Sequence, residues 1–235
     1  MPGGTLYRSP TVTKKIYNHT VDVRFQTGVK RSKRVMEVAE AFGLGVSDKE
    51  FVVYDNLRFQ TQQGDCIYIT GQSGSGKSIM LRELTRQYRE LFGLKVATLD
   101  DVELEDVPLI DQIGSSTEEA CKILSKAGLN DAYLFIRRPS ELSDGQRYRL
   151  AIAKLLAAGV DVIVADEFGA ILDRTTARVV AYSVRAMCEK AGITLMVATT
   201  HKDLLWDLRP TLTIDKRFAD EISIKVADRE TMARY

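Results

Sequence analysis

The chain has 235 residues, of which 45% are hydrophobic and 28% are charged. Its 33 basic and 32 acidic residues leave a formal net charge of +1, which by itself indicates no class of partner. Three widely separated cysteines, Cys66, Cys121 and Cys188, argue against a disulfide framework and against a zinc site. No stretch approaches the roughly 20 apolar residues of a membrane span, and the first residues lack a signal-peptide core. We therefore expect a soluble cytoplasmic protein without membrane insertion.

The first part of the chain is strongly basic. Residues 1–36 contain eight basic residues and one acidic residue. The densest cluster consists of Lys30, Arg31, Lys33 and Arg34. Such a cluster is able to contact the phosphates of a nucleic acid, but it is equally typical of a solvated loop between two strands. We assign residues 1–34 to a basic N-terminal extension and leave both interpretations open.

Several short extended segments are predicted next. Residues 16–29 alternate between apolar and polar side chains, which predicts one or two strands. Residues 35–42 predict a strand or a short helix that leads to a glycine. Residues 51–54 and 57–59 predict two strands of an antiparallel edge.

A glycine-rich loop follows a short strand and precedes a helix. The strand is predicted at residues 66–70, and the helix runs to about Phe92. The loop and the first residue after it are Gly71, Gln72, Ser73, Gly74, Ser75, Gly76, Lys77, Ser78 and Ile79. Four free positions between the first glycine and a closing Gly-Lys-Ser are the phosphate-binding P-loop pattern.

The residue types of this loop fit the chemistry of phosphate binding. Glycines let the backbone approach phosphate oxygens closely, so that its N–H groups form an anion-binding nest. The positive end of the following helix dipole points at the same place. The Lys77 ammonium is able to reach the β- and γ-phosphates, and the Ser78 hydroxyl is able to ligate Mg²⁺. The sequence therefore predicts a site for ATP and Mg²⁺.

Helices and strands alternate through the rest of the chain. The predicted elements are a strand at 95–99, a helix at 117–129, a helix at 144–157, a strand at 161–165, a helix at 175–191 and a strand at 194–199. This alternation predicts an α/β fold with a parallel sheet that is covered on both faces.

Two acidic residues end one of these strands. The apolar run at 161–165 leads directly to Asp166 and Glu167, which is the Walker B pattern when it lies downstream of a P-loop. Asp166 is placed to hold Mg²⁺ through a water molecule. Glu167 is placed beside the attacking water, as general base or as the group that positions it.

A third pattern lies between the P-loop and these acids. Leu142, Ser143, Asp144, Gly145 and Gln146 resemble the signature of ATP-binding cassette (ABC) ATPases, which normally reads Leu-Ser-Gly-Gly-Gln. The resemblance implies a head-to-tail homodimer across two ATP molecules, in which Ser143 and the Gly145 N–H face the γ-phosphate held by the other subunit. The chain departs from the pattern at Asp144. A carboxylate is unfavourable near a triphosphate unless it points away or caps a helix.

The same resemblance implies roles for further residues. Asp173 matches the D-loop at the dimer interface, and His201 matches the switch histidine that contacts the γ-phosphate and orients the water. Gln112 matches the Q-loop glutamine, a ligand of Mg²⁺ and water. Phe42 matches the aromatic residue that stacks on adenine, with Tyr54 as the alternative and core packing open for both.

The resemblance also implies an architecture. Residues 35–235 would form an ABC-type nucleotide-binding domain of the P-loop NTPase class. This domain would contain a parallel core sheet, an antiparallel β edge and a short helical subdomain at about 112–157.

Three functions remain open at this point. The first is a soluble ATPase dimer that acts on a macromolecular partner. This type resembles ABC ATPases associated with acetyltransferase domains, so an acetyltransferase is one candidate for the unidentified protein partner. Nucleic acid, bound through the basic N-terminus, is another candidate partner. The second is the ATP-binding subunit of a transporter, which the short insert of 66 positions from Lys77 to Ser143 argues against. The third is a nucleotide-gated scaffold with little turnover, which Glu167 and His201 argue against.

Overall fold

The computed structural model describes residues 14–27, 32–43, 49–217 and 221–227. The strands are β1 (Ile16–Thr27), β2 (Lys49–Gln62), β3 (Cys66–Gly71), β4 (Val96–Thr98), β5 (Val162–Ala165), β6 (Thr194–Thr199), β7 (Leu212–Lys216) and β8 (Ile222–Val226). The helices are α1 (Lys33–Ala41), α2 (Lys77–Glu90), α3 (Thr117–Lys126), α4 (Ala132–Phe135), α5 (Asp144–Ala157), α6 (Arg174–Ala191) and α7 (Leu205–Leu208). Within these described ranges, no helix combines the length and the apolar character needed to cross a bilayer.

Six strands form the central sheet, in the order β4-β5-β6-β3-β7-β8. All neighbouring pairs are parallel except β7 and β8, which are antiparallel. β1 and β2 form a separate antiparallel sheet of two strands. The predicted α/β fold with a parallel core and antiparallel strands is therefore confirmed. β7 and β8 were not predicted from the sequence, although β7 alternates between buried and half-buried residues as a strand should.

Both faces of the central sheet are covered by other elements. In β6, for example, Leu195 and Val197 belong to one apolar cluster, whereas Met196 and Ala198 belong to another. The first cluster contains residues of α5 and α6, and the second contains residues of α2, β1 and β2. Successive side chains of a strand point to opposite faces, so an unbroken apolar run needs a cover on each side.

A third apolar cluster lies apart from the sheet. It is built on the buried residues Leu109, Leu124 and Leu150, from a short 3₁₀ helix, α3 and α5. This cluster lies in the part of the chain where the short helical subdomain is predicted.

One prediction about the antiparallel sheet is wrong in detail. Residues 51–54 and 57–59 belong to one continuous strand, β2, rather than to two strands. The register passes from Val21 opposite Leu57 to Val23 opposite Tyr54, which leaves a bulge between them. Asn56 takes a positive φ of 43° in this bulge. A bulge bends a strand without ending it, so its turn-like residues do not mark a boundary.

The predicted N-terminal extension contributes directly to this sheet. β1 lies inside residues 1–34 and pairs with β2 along its length. The predicted boundary therefore falls between two paired strands. Of the basic cluster, Lys33 and Arg34 are exposed on α1, whereas Lys30 and Arg31 lie outside the described residues.

A buried histidine joins the antiparallel sheet to α2. Hydrogen bonds of 2.9 Å join His19 Nδ1 to Gln87 Oε1 and His19 Nε2 to Thr61 Oγ1. Thr61 in turn lies 2.6 Å from the Tyr88 hydroxyl, and the His19 ring stacks on Phe59. His19 is 2% exposed, and its burial lowers its pKa below the ordinary value of 6.5. The neutral imidazole is thus part of the contact that holds α2, the helix after the P-loop.

This burial predicts that the protein is less stable in acid. The unfolded chain binds a proton on His19 near pH 6.5 and the folded chain only at lower pH, so the stabilisation by the neutral ring is complete above pH 6.5 and is lost below it. Urea unfolding between about pH 7 and pH 5 should show a free energy of unfolding that falls more steeply in the wild type than in His19→Gln. Equal pH dependence of the two proteins would contradict this assignment.

Candidate nucleotide-binding site

A cleft of about 450 Å³ lies at the carboxyl edge of the parallel sheet. β3, β5 and β6 all end there, because the carboxyl ends of parallel strands meet at one edge. The cleft is lined by Ser73, Gly74, Gly76, Lys77, Ser78, Ile79, Asp166, Glu167, Ala170, Thr199, Thr200 and His201. The fold thus brings together most of the predicted P-loop, both Walker B acids and the predicted switch histidine.

The shape of the P-loop depends on two glycines. A Cβ atom on Gly71 would lie 1.9 Å from the carbonyl oxygen of Lys216, and the φ of Gly71 is 147°. A Cβ atom on Gly76 would lie 2.9 Å from Val53 Cγ1, and its φ is 100°. A Cβ atom cannot lie so close to another heavy atom, and both φ values fall in the region that favours glycine, so both positions require glycine. The first glycine of the loop therefore lies against β7, and the last lies against β2.

Lys77 supplies the positive charge of the cleft. Its side chain is largely buried, and Nζ donates a hydrogen bond of 2.8 Å to the carbonyl of Gln72 across the loop. Burial lowers the pKa of the ammonium, while the carboxylates of Asp166 and Glu167 act to raise it. An anion in the cleft would take over the charge compensation that these two acids now give.

The two candidates for adenine stacking lie in different places. Tyr54 is 1% exposed, and its hydroxyl donates a hydrogen bond of 3.0 Å to the carbonyl of Gly76. The ammonium of Lys216 lies 5.5 Å from the centre of the Tyr54 ring. Tyr54 is thus packed against the P-loop, and neither face of its ring is exposed for stacking on adenine. Phe42 is 75% exposed and does not line the cleft, so its role as adenine platform stays a prediction.

The side chains available to Mg²⁺ offer oxygen ligands, which this cation prefers. Ser78 and Asp166 line the cleft together and offer a hydroxyl and a carboxylate. The described residues contain no group of three His, Cys, Asp or Glu side chains that would hold a metal alone. Phosphate oxygens and water would therefore complete the coordination, as is usual for Mg²⁺ at nucleotide sites.

The third predicted metal ligand lies elsewhere. Gln112 is not among the residues that line the cleft. Its amide nitrogen donates a hydrogen bond of 2.7 Å to the carbonyl of Val107, and its amide oxygen accepts one of 3.4 Å from Lys154 Nζ. In this structure the side chain is engaged within the helical subdomain, and its role as a ligand stays a prediction.

Glu167 has an unusual backbone conformation. Its φ is 47°, in the left-handed region that residues with side chains rarely occupy. The amide of Glu167 donates to Asp166 Oδ1 at 3.0 Å, and the next amide, of Phe168, donates to the carbonyl of Ala198 at 3.1 Å. Such strain persists only where neighbouring contacts hold it, and it is common at functional sites.

His201 enters the cleft directly after β6. Its amide donates to Thr199 Oγ1 at 3.2 Å, and its carbonyl accepts a hydrogen bond of 2.5 Å from the hydroxyl of Tyr68. Thr199 and Thr200 also line the cleft and were not among the predicted site residues. Their position at the carboxyl end of a parallel strand was the signal that could have identified them.

The signature residues do not line this cleft. Ser143 caps the N-terminus of α5, where its hydroxyl accepts from the amide of Gln146 at 3.3 Å and Gln146 Oε1 accepts from the amide of Ser143 at 2.9 Å. Asp144 follows in the first turn, exposed and hydrogen-bonded to Arg147. This ion pair compensates the unexpected carboxylate, and the positive end of the helix dipole favours it as well. Gly145 packs on Leu172, since a Cβ there would lie 3.3 Å from Leu172 Cδ2.

Asp173 also serves as a helix cap. Its carboxylate accepts from the amide of Thr176 at 2.9 Å at the start of α6. The hydrogen bonds of Thr176 hold the pKa of Asp173 below its usual value. Asp173 lies outside the cleft lining, and its contact with a second subunit stays a prediction.

Comparison with known proteins identifies the family of the chain. Residues 60–205 match the family model described as "AAA domain". The chain is 29% identical over 212 residues to the lipoprotein-releasing system ATP-binding protein LolD of Alcanivorax borkumensis, covering 75% of this chain and 90% of that protein. It is 29% identical over 187 residues to the macrolide export ATP-binding/permease protein MacB of Burkholderia pseudomallei, covering 65% of this chain. The match spans only 28% of the length of MacB.

Solved structures show the same fold. A dimeric ATP-binding cassette in a post-hydrolysis state, bound to ADP and phosphate, superposes with a TM-score of 0.59 at 19% identity, covering 88% of this chain and 98% of that one. A bacterial exporter of the Atm1 family with ATP bound gives a TM-score of 0.56 at 19% identity, covering 78% of this chain and 37% of that one. The chain therefore belongs to the AAA domain family of ATPases, and its fold is that of an ATP-binding cassette.

Proposed function

We propose that two copies of this chain bind two ATP molecules between them and hydrolyse them. The observation that carries this proposal is the composition of the cleft. It brings Lys77, Ser78, Asp166, Glu167 and His201 together from three separate segments of the chain. These residues are the phosphate-binding, metal-binding and water-activating groups that phosphoryl transfer to water requires.

Each group has a defined part in this mechanism. The loop amides and the Lys77 ammonium bind the β- and γ-phosphates. Ser78 and Asp166 would hold Mg²⁺, which neutralises developing phosphate charge when bound. Glu167 accepts a proton from the attacking water, and His201 donates a hydrogen bond to the γ-phosphate.

A second copy of the chain would supply an anion-binding helix N-terminus that the cleft lacks. Ser143 and the first amides of α5 form a second anion-binding helix N-terminus, and they do not line the cleft of their own chain. A γ-phosphate therefore meets them only across an interface between two molecules. A head-to-tail pair would satisfy both clefts at once, because such a contact is repeated by the two-fold axis.

A membrane-embedded partner is the better supported biological setting. LolD is named as part of a lipoprotein-releasing system and MacB as an export protein. The helical subdomain also exposes three apolar side chains, Val107, Tyr133 and Ile136. The amide of Leu109 donates to the carbonyl of Arg137 at 3.0 Å, so the segments that carry them are neighbours. An apolar patch of this kind on a polar domain is typical of a protein contact.

This setting replaces the stand-alone function that the sequence analysis placed first. The short insert does not exclude a transporter subunit, since LolD aligns over 90% of its own length. The comparisons support neither the resemblance to acetyltransferase-associated ATPases nor a nucleic-acid partner.

Two substitutions separate ATP binding from hydrolysis. Lys77→Ala should abolish ATP binding, because the buried ammonium is the cation of the cleft. Glu167→Gln should bind ATP normally but turn over at least about 100-fold more slowly. Equilibrium binding and steady-state phosphate release measure the two effects. Near-normal turnover of Glu167→Gln would refute the assignment of the base.

ATP should also join two copies. Light scattering of Glu167→Gln with Mg²⁺ and ATP should show a dimer, because the γ-phosphate bridges the P-loop of one copy and Ser143 of the other. The same protein with Mg²⁺ and ADP serves as the control and should remain a monomer. A persistent monomer in ATP at roughly tens of micromolar would contradict the composite site.

The apolar patch predicts where the partner binds. In cells that naturally make the protein, Ile136→Ser should move the chain from the membrane fraction to the supernatant, because a polar side chain weakens an apolar contact. Trp206→Ser is the matched control, since Trp206 is 80% exposed on α7 and outside the patch. ATPase activity of the isolated protein should be unchanged in both variants. Equal fractionation of the two variants and the wild type would count against this surface.

A further inference from the structure

The segment that carries Glu167 is anchored by a side chain from the signature helix. The amide of Gly169 donates a hydrogen bond of 2.9 Å to the hydroxyl of Tyr148, which lies on α5. The ring of Tyr148 packs edge-on against Phe168, with the ring centres 6.2 Å apart. Phe168 is itself 1% exposed, so this contact is part of the core.

We propose that Tyr148 is a positioning residue for ATP hydrolysis, and that its hydroxyl holds the Glu167 segment in the conformation that aims the carboxylate into the cleft. This inference rests on the proposed role of Glu167 as the group that activates water.

The backbone of Glu167 supplies the reason for such an anchor. A residue with a side chain at a φ of 47° is unfavourable by itself, so surrounding contacts must hold it. The amide of Glu167 donates a hydrogen bond to the side chain of Asp166. The following amide, that of Phe168, donates to the carbonyl of Ala198 on β6. The Tyr148 hydroxyl secures the next amide, that of Gly169, and thereby fixes the C-terminal side of the strained residue.

Gly169 has little freedom to find another position. Its φ is 71°, and a Cβ atom there would lie 3.3 Å from Ala177 Cβ on α6. The segment is therefore held between α5 and α6. Removal of the hydroxyl would leave the ring packing in place but free the amide to seek water or another acceptor.

The position of Tyr148 on α5 adds a second consequence. Ser143 caps the N-terminus of α5 five positions before Tyr148, and a helix moves as one rigid body over so short a distance. The residue expected to meet the ATP of a second copy and the anchor of Glu167 thus belong to the same element. Tyr148 acts on Glu167, however, and not on assembly, so its removal should leave the dimer intact.

The test removes one hydroxyl group and uses a matched control. Tyr148→Phe keeps the ring that packs on Phe168, so the core is preserved. Tyr182→Phe removes the hydroxyl of an exposed tyrosine on α6. In the full chain, Tyr148→Phe should lower kcat roughly tenfold, because small displacements of a catalytic group are costly. The KM for ATP, the ATP-dependent dimer of the Glu167→Gln form and the melting temperature should match those of Tyr182→Phe.

A double-mutant cycle identifies the residue through which Tyr148 acts. Single-turnover hydrolysis of labelled ATP measures the slow rates of Glu167→Gln with and without Tyr148→Phe. If Tyr148 acts through Glu167, the second substitution has no further effect once the carboxylate is gone. The same tenfold loss in both backgrounds would overturn the proposal.

The remaining outcomes are equally decisive. A kcat of Tyr148→Phe within about twofold of the wild type would overturn the inference. A parallel fall of kcat, ATP affinity and melting temperature would assign Tyr148 a merely structural role and overturn it as well. If the wild type hydrolyses ATP and Glu167→Gln does not, such results leave the proposed function intact. If the wild type does not hydrolyse ATP, the proposed function itself fails.

Discussion

The nucleotide site depends on the close approach of Gly71 to β7. No other residue fits there, because its Cβ would lie 1.9 Å from the carbonyl oxygen of Lys216. Gly76 meets Val53 of the second sheet in a similar way, and the hydroxyl of Tyr54 bonds to the Gly76 carbonyl. The P-loop is therefore shaped by close contacts with strands of both sheets. Lys77, the next residue, begins α2 with its side chain already directed across the loop.

The rest of the site is arranged around that fixed loop. The same edge of the sheet carries Asp166, Glu167 and His201, because the parallel strands that precede these residues all end there. Two hydroxyl groups from elsewhere in the fold contact the segments that carry these residues. Tyr68 donates a hydrogen bond to the carbonyl of His201, and Tyr148 accepts one from the amide two residues after Glu167. The cleft is therefore bordered by contacts with tyrosine hydroxyls as well as by backbone hydrogen bonds.

The local elements and their order follow from patterns in the amino-acid sequence. A glycine pattern between a strand and a helix, and an apolar run that ends in Asp166 and Glu167, are both features of neighbouring residues. Periodicity placed the helix at 144–157 and the strand at 194–199 at the bounds that the structure shows. These signals succeed because hydrogen bonding within an element and the alternation of its faces depend on residues a few positions apart.

Tertiary packing determines which side chains meet. In the folded chain, Tyr54 bonds to the backbone of the P-loop, and Gln112 bonds within the helical subdomain. Their positions along the chain had made both residues candidates for contact with the nucleotide or its metal ion. Tyr148 and Gly169 stand 21 positions apart, and nothing in the sequence marks them as partners. Such contacts depend on how separate helices and strands pack against a common core, and no local pattern of residues encodes that arrangement.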